Sequence, residues 1–397
     1  MYLTKEEEKM LNGEYGSAVA RCMKLLVKLG EKFGAEKMVS ISSAQIAGIS
    51  YKNIGDAGVE FLEEFAKEGA KVRVTAFMNP AGMDLEKWKE LGINEEFAKN
   101  QMRIINALKK IGVVASATCT PYLAGLLPRF HEHIAWSESS AVIFANSVIG
   151  ARTNREGGPS ALAAAITGRT PYYGMHLDEN RKANFIVEVE TSLEDIADFS
   201  ALAYAVCKHV KKGIPYFKGI KSANVDELKA LGASLAAYGA MAMFHIEKVT
   251  PEAGNACENV KEKISITHED IKNAYEEMSK KLEEVDAIAI GCPHASLGEL
   301  KKLVLLLHGK RLKVPLFVFT SKAVKSVAER AGYVEELEKA NAKILTDTCP
   351  VVMPIEELGI KKLAVNSGKA TFYLSSSGKI VVFEKIEKLI ERFCEGA

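Results

Sequence analysis

The chain has 397 residues, 48% of them hydrophobic, which is more than one ordinary core needs and suggests two or three packed domains. Lys and Arg number 52 against 51 Asp and Glu, so the composition shows neither the basic excess of a nucleic-acid binder nor a long acidic tail, and an anionic ligand must be met locally. No stretch of 18 apolar residues spans a bilayer, and the polar start Met1-Tyr2-Leu3-Thr4-Lys5-Glu6 lacks a signal peptide's apolar core, so a cytoplasmic protein without membrane contact is expected.

The first predicted elements are helices over 6–11 and 16–33, with Thr4 and Glu7 spaced as a capping box. Residues 37–42 read as a short strand running into a loop through Gly48, and 56–68 returns to helix. A β-branched strand over 71–77 stops at the turn Asn79-Pro80-Ala81-Gly82. Helix is predicted over 94–111, then strand over 113–117 leading to Thr118-Cys119-Thr120-Pro121. A strand over 133–136 precedes Ser137-Glu138-Ser139-Ser140, which caps a helix through Val148. The middle of the chain begins with a Gly-rich loop, 152–160, and a small-residue helix, 161–168. It continues as a strand over 185–189, helices over 196–211 and 225–238, and a strand over 242–247.

The final third repeats a strand–turn–helix pattern. Strands over 287–290, 316–319, 343–345 and 362–365 lead into polar turns at Gly291-Cys292-Pro293-His294, Thr320-Ser321, Thr346-Asp347-Thr348-Cys349 and Asn366-Ser367-Gly368-Lys369. Such units in series imply a parallel sheet, with ligands at the carboxyl ends of its strands. The expected fold is α/β and multi-domain, with parallel sheets flanked by helices. Its expected parts are 1–150 carrying Cys119, a middle or inserted part 151–280, and a doubly wound part 281–397 carrying Cys292 and Cys349.

Seven cysteines, an odd number in a chain without a secretion signal, argue against a disulfide framework. Cys22, Cys207 and Cys394 sit in helical patterns and Cys257 in a polar stretch; all four read as packing or loop residues. Cys119, Cys292 and Cys349 share another context. Each follows a hydrophobic strand, and a proline stiffens the turn at Pro121, Pro293 or Pro350. Three thiolates suit zinc or an iron–sulfur cluster, and the absence of close C-x₂-C pairs disfavours a zinc ribbon. A cluster held by three cysteines leaves one iron open as a Lewis acid. A thiol hydrolase using Cys119, or a non-catalytic α/β binding protein with structural cysteines, is the competing reading. Arg152 and Arg155 either clamp an anion or brace their loop, His294 is placed to meet a sulfur or a substrate oxygen, and His131 and His133 share one strand face.

Seven segments together resemble the aconitase X family across nearly the whole chain. They are Ile46-Ala47-Gly48-Ile49-Ser50, Phe77-Met78-Asn79-Pro80-Ala81-Gly82, Ser116-Ala117-Thr118-Cys119-Thr120-Pro121-Tyr122, Trp136-Ser137-Glu138-Ser139-Ser140-Ala141, Arg152-Thr153-Asn154-Arg155-Glu156-Gly157-Gly158-Pro159, Gly291-Cys292-Pro293-His294 and Thr348-Cys349-Pro350. More narrowly, the chain is similar to the large chain of archaeal, two-chain members. That resemblance implies a hydro-lyase that removes water from (R)-5-phosphomevalonate to give trans-anhydromevalonate 5-phosphate in isoprenoid synthesis; other members dehydrate cis-3-hydroxy-L-proline. It implies an iron–sulfur cluster, [4Fe–4S] in its simplest form, on Cys119, Cys292 and Cys349. It places the substrate, a small phosphorylated hydroxy acid, against Gly48, Ile49, Ser50, Asn79, Pro80, Glu138, Ser139 and Lys369. It also implies a heterodimer in which a separate small subunit, the swivelling domain, brings the catalytic base as a serine.

Overall fold

The capping box forms as read: the Glu7 N–H donates to Thr4 Oγ1, the Thr4 N–H donates to the Glu7 carboxylate, and the helix Lys5–Leu11 follows. In this computed structural model, which describes residues 1–395, three parallel sheets carry the chain, together with one antiparallel pair of Met38–Ser40 with Arg169–Pro171. The α/β architecture with helices flanking parallel sheets is therefore the observed one.

The first parallel sheet places Ser43–Ile46 between Thr75–Met78 and Ala135–Trp136. The sequence predicts a loop over 42–48, because Ser43, Ala44 and Gln45 carry no β-branched side chain. The segment is a fully buried central strand instead, with Gln45 Nε2 donating to the Thr118 carbonyl and Gln45 Oε1 accepting from the Glu138 N–H. Conversely, the strand expected over 113–117 reduces to a single bridge between Phe77 and Val114.

The second sheet runs in the order His245–Ile246, Pro215–Lys218, Phe185–Val189, Lys263–Ile266. Two of these strands, Pro215–Lys218 and Lys263–Ile266, and the helix His268–Met278 had no clear signature in the sequence. The third sheet has five strands, Ala342–Leu345, Leu316–Thr320, Ala287–Ala295, Lys362–Val365 and Ile380–Phe383, all parallel. Its strands are nearly continuous apolar runs because both faces are covered, as parallel sheets require.

The first and third sheets meet at their carboxyl ends. The Ala81 N–H donates to the Asp347 carbonyl at 2.7 Å, and Ala81 bridges Thr348. Asp84 reaches across the same seam, its carboxylate accepting from the Thr346 N–H at 2.9 Å. Helices of the middle region close the structure from behind: Gly368 packs so tightly on Ser200 and Ser234 that a Cβ would come within 2.6 Å of the Ser234 hydroxyl.

Candidate active site

A cavity of about 250 Å³ opens where those two sheets face each other. Cys119, Cys292 and Cys349 all line it, together with Gly48, Ile49, Ser50, Asn79, Pro80, Glu138, Ser139 and Lys369. Every residue singled out from the sequence as a ligand or substrate contact thus falls on one wall-to-wall surface. Arg155 lines it as well, and Ala47, Asn53, Ser137, Val351, Val352 and Tyr373 complete the lining.

Each cysteine is held differently. Cys292 does not stand in a turn after its strand, as expected, but inside Ala287–Ala295, where the ladder is interrupted between Ile290 and Ala295. The bulge turns residues 291–294 out of register and aims a side chain, a common use of such an interruption. Gly291 permits it, with φ +100° and its position against the Phe319 carbonyl, which a Cβ would approach to 2.0 Å. Cys119 follows Thr118, and its Sγ accepts the His294 backbone N–H at 3.2 Å. Around Cys349, the N–H groups of Val351 and Val352 favour the thiolate.

The His294 side chain does not face the cavity. Its Nε2 lies 2.8 Å from the Thr348 carbonyl and its Nδ1 3.0 Å from Thr118 Oγ1. The carbonyl can only accept, so Nε2 carries the proton and Nδ1 accepts from the threonine. Burial holds this imidazole's pKa down to about 4, which keeps it neutral. One buried ring therefore ties together the segments that carry all three cysteines.

Burial pushes the Cys119 thiol up to about 12 and raises Cys292 and Cys349 as well, while the nearby Lys369 ammonium works in the opposite direction on all three. Such thiols give up their protons readily only to a cationic partner. Among the described residues no three His, Cys, Asp or Glu side chains are gathered closely enough for a single metal ion. A polynuclear cluster sets its thiolates farther apart, and three buried sulfurs around a cavity, two of them with backbone donors, are a donor set of that kind.

The charged heart of the cavity is a pair. Lys369, second residue of the helix Gly368–Ser376, donates to Glu138 and, at 3.1 Å, to Ser140 Oγ. Burial alone would raise the Glu138 carboxyl, but the Lys369 charge and the 2.7 Å bond from Asn79 Nδ2 outweigh it and hold the pKa down to about 2. Glu138 also caps the helix Ser139–Phe144. The oxygen of the same amide, Asn79 Oδ1, is buried without a partner, and Asn79 stands on the cavity wall. Gly48, at φ +70°, lets the backbone of its loop turn beside the site.

Of the two loop arginines, Arg152 is a brace, buried and bonded to Asp178 and the Gly150 carbonyl, whereas Arg155 lines the cavity. His131 and His133 do not pair with each other. His133 meets His176 instead, Nδ1 to Nδ1 at 2.9 Å, a partner remote in sequence that strand alternation could not reveal.

Three family models, described as aconitase X first, second and third domains, match residues 1–179, 183–276 and 285–395. A phosphomevalonate dehydratase large subunit from Methanocaldococcus jannaschii is 56% identical, over 98% of this chain and all of its own length. The chain belongs to the aconitase X family. The crystal structure of Thermococcus kodakaraensis aconitase X in its holo-form superposes with a TM-score of 0.94 at 49% identity, covering 99% of this chain and all of that one. A cis-3-hydroxy-L-proline dehydratase from Pseudomonas aeruginosa is a more distant aconitase X relative, 34% identical over 92% of this chain and 65% of its own length. No helix among the described residues is long and apolar enough to cross a membrane.

Proposed function

We propose that this chain is the large subunit of a phosphomevalonate dehydratase, a hydro-lyase that converts (R)-5-phosphomevalonate into trans-anhydromevalonate 5-phosphate and water. The observation that carries the reading is the coincidence of three cysteines and eight expected substrate contacts on one cavity, in a chain 36–56% identical to relatives bearing that name. The cis-3-hydroxy-L-proline dehydratases stand further off, at 30–34% identity.

Cys119, Cys292 and Cys349 would hold an iron–sulfur cluster, [4Fe–4S] in the form that leaves one iron free of protein. Bound there, such a group supplies a Lewis acid for the departing hydroxyl. The chain's own residues do the rest. Asn79 Oδ1 offers an acceptor to a substrate hydroxyl or protonated group, and the unused N–H of Lys369 offers a donor to a carboxylate beside it. Neither has to move, because Glu138 already fixes both.

Dehydration also removes a proton from the neighbouring carbon, and that step needs a base with an affinity for protons near the working pH. Glu138, held at about 2, is too weak. His294 has both nitrogens occupied, and Ser50 donates to the Val352 carbonyl at 3.1 Å. These facts support a base brought by a small partner subunit that closes over the cavity and forms a heterodimer with this chain. The larger size of the cis-3-hydroxy-L-proline dehydratase, of which this chain matches 65%, fits the same picture of an additional domain. The site of action is the cytoplasm.

The test is anaerobic production of the chain with and without a small subunit, followed by mass-spectrometric assay of water loss from (R)-5-phosphomevalonate. Turnover only by the pair is expected, and full turnover by the lone chain would remove the need for a partner base. In parallel, Cys119→Ser, Cys292→Ser and Cys349→Ser should each lose iron and sulfide while Cys22→Ser and Cys257→Ser keep them; the reverse pattern would sink the ligand set.

A further inference from the structure

We propose that Arg155 is the receptor for the substrate's phosphate; this deepens the dehydratase reading and rests on it. Two cations line the cavity, Lys369 and Arg155. The charge of Lys369 is already met by Glu138, so that pair is close to neutral and has little left with which to bind a dianion. Arg155 is exposed, and among the described residues it makes no ion pair and no side-chain hydrogen bond.

Its loop is built to present it. Thr153 and Asn154 are buried on one side and Glu156 on the other. The Thr153 N–H donates to Asn146 Oδ1, and Asn154 holds the Tyr173 carbonyl and the Met175 N–H. The Glu156 N–H donates to the Trp136 carbonyl, while its carboxylate accepts from Ser160 and Thr170. Three anchored neighbours fix the backbone around the single residue whose side chain is left unengaged. A guanidinium presents parallel donors that match two phosphate oxygens at once, a geometry an ammonium lacks. Lys369 and Glu138 are the charges that act on the three sulfurs. The division of labour follows: the Lys369 side of the cavity takes the reacting end of the substrate, and Arg155 takes the phosphate end.

The experiment compares the two-subunit holoenzyme with its Arg155→Gln and Arg155→Lys forms. Three quantities are measured: KM for (R)-5-phosphomevalonate, competitive inhibition by inorganic phosphate, and binding of inorganic phosphate by calorimetry. Arg155→Gln should raise KM by tenfold or more and weaken phosphate inhibition by a similar factor, with partial recovery in Arg155→Lys. Iron content should not change. Unchanged KM and unchanged phosphate inhibition would overturn the assignment. So would a loss confined to subunit association, measured by sedimentation, which would make Arg155 a docking residue. If the wild-type pair does not turn over phosphomevalonate, the dehydratase reading falls, while calorimetry of wild type against Arg155→Gln still decides whether this arginine binds phosphate.

Discussion

Lys229 and Lys369 are both buried against carboxylates, and both have their pKa raised by them, yet only one stands on the cavity wall. Lys229 meets three oxygens, those of Glu299, Asp226 at 3.0 Å and the His294 carbonyl at 3.1 Å, so each of its three N–H groups is directed at protein. Lys369 meets two, Glu138 and Ser140. The same residue type in the same kind of ion pair is a brace when its donors are exhausted and has a donor to offer the cavity when one is left over. Burial and charge alone would not have separated them.

The comparison breaks most visibly at Lys229. Lys229→Met leaves two half-buried carboxylates, Glu299 and Asp226, without a cation, a defect that costs about 3 kcal/mol, the low end for breaking a buried pair. Chemical denaturation of the apoprotein checks it. Lys369→Met should cost less, about 1.5–3 kcal/mol, because it strands one carboxylate, Glu138, rather than two. Its turnover should nonetheless fall by far more than that of a Lys229 variant assayed while still folded. Equal turnover in the two would erase the distinction.

Two smaller effects sharpen it. His294→Phe strips partners from Thr118 Oγ1 and the Thr348 carbonyl and should cost about 1–2 kcal/mol. It should also shorten the time for which iron resists a chelator, since the cysteine segments lose their common tie. The smallest effect is acid sensitivity. Glu138 has a folded pKa of about 2 against 4.5 for the free group, so its contribution is complete above 4.5 and drains as pH falls through 2. By pH 4 the loss is about 1 kcal/mol, and Glu138→Gln should abolish that part of the slope. An unchanged slope would mean the pair does not govern the titration.

Much of this was legible in the chain because strand ends carry the chemistry. The strand Lys362–Val365 and the polar run after it could be read directly, since a buried parallel strand is an apolar run and its exit is polar. Asn79, Glu138 and Lys369 are substrate contacts that the family resemblance implies, and each stands just beyond a strand. What sequence could not give was partnership. Nothing in Asn366-Ser367-Gly368-Lys369 says that Glu138, 231 positions earlier, neutralises the lysine. The roles of Arg152 and Arg155 also separate only in space, where one has Asp178 beside it and the other faces the cavity. Ser43–Ile46 does not read as a strand because Ser43, Ala44 and Gln45 carry no β-branched side chain, and only the two parallel neighbours that bury it make it one.

The cavity wall recruits residues from Ala47 to Tyr373. A ribosome delivers the N-terminal part first, so Cys119 is in the cell long before Cys292 and Cys349 have been synthesised. Of the three cysteines around the cavity, the half-made protein holds one, never the triad. Assembly of the site therefore has a built-in order: the polypeptide must be almost finished, and its first and third sheets joined through Ala81 and Asp347, before the proposed cluster would have anywhere to be delivered.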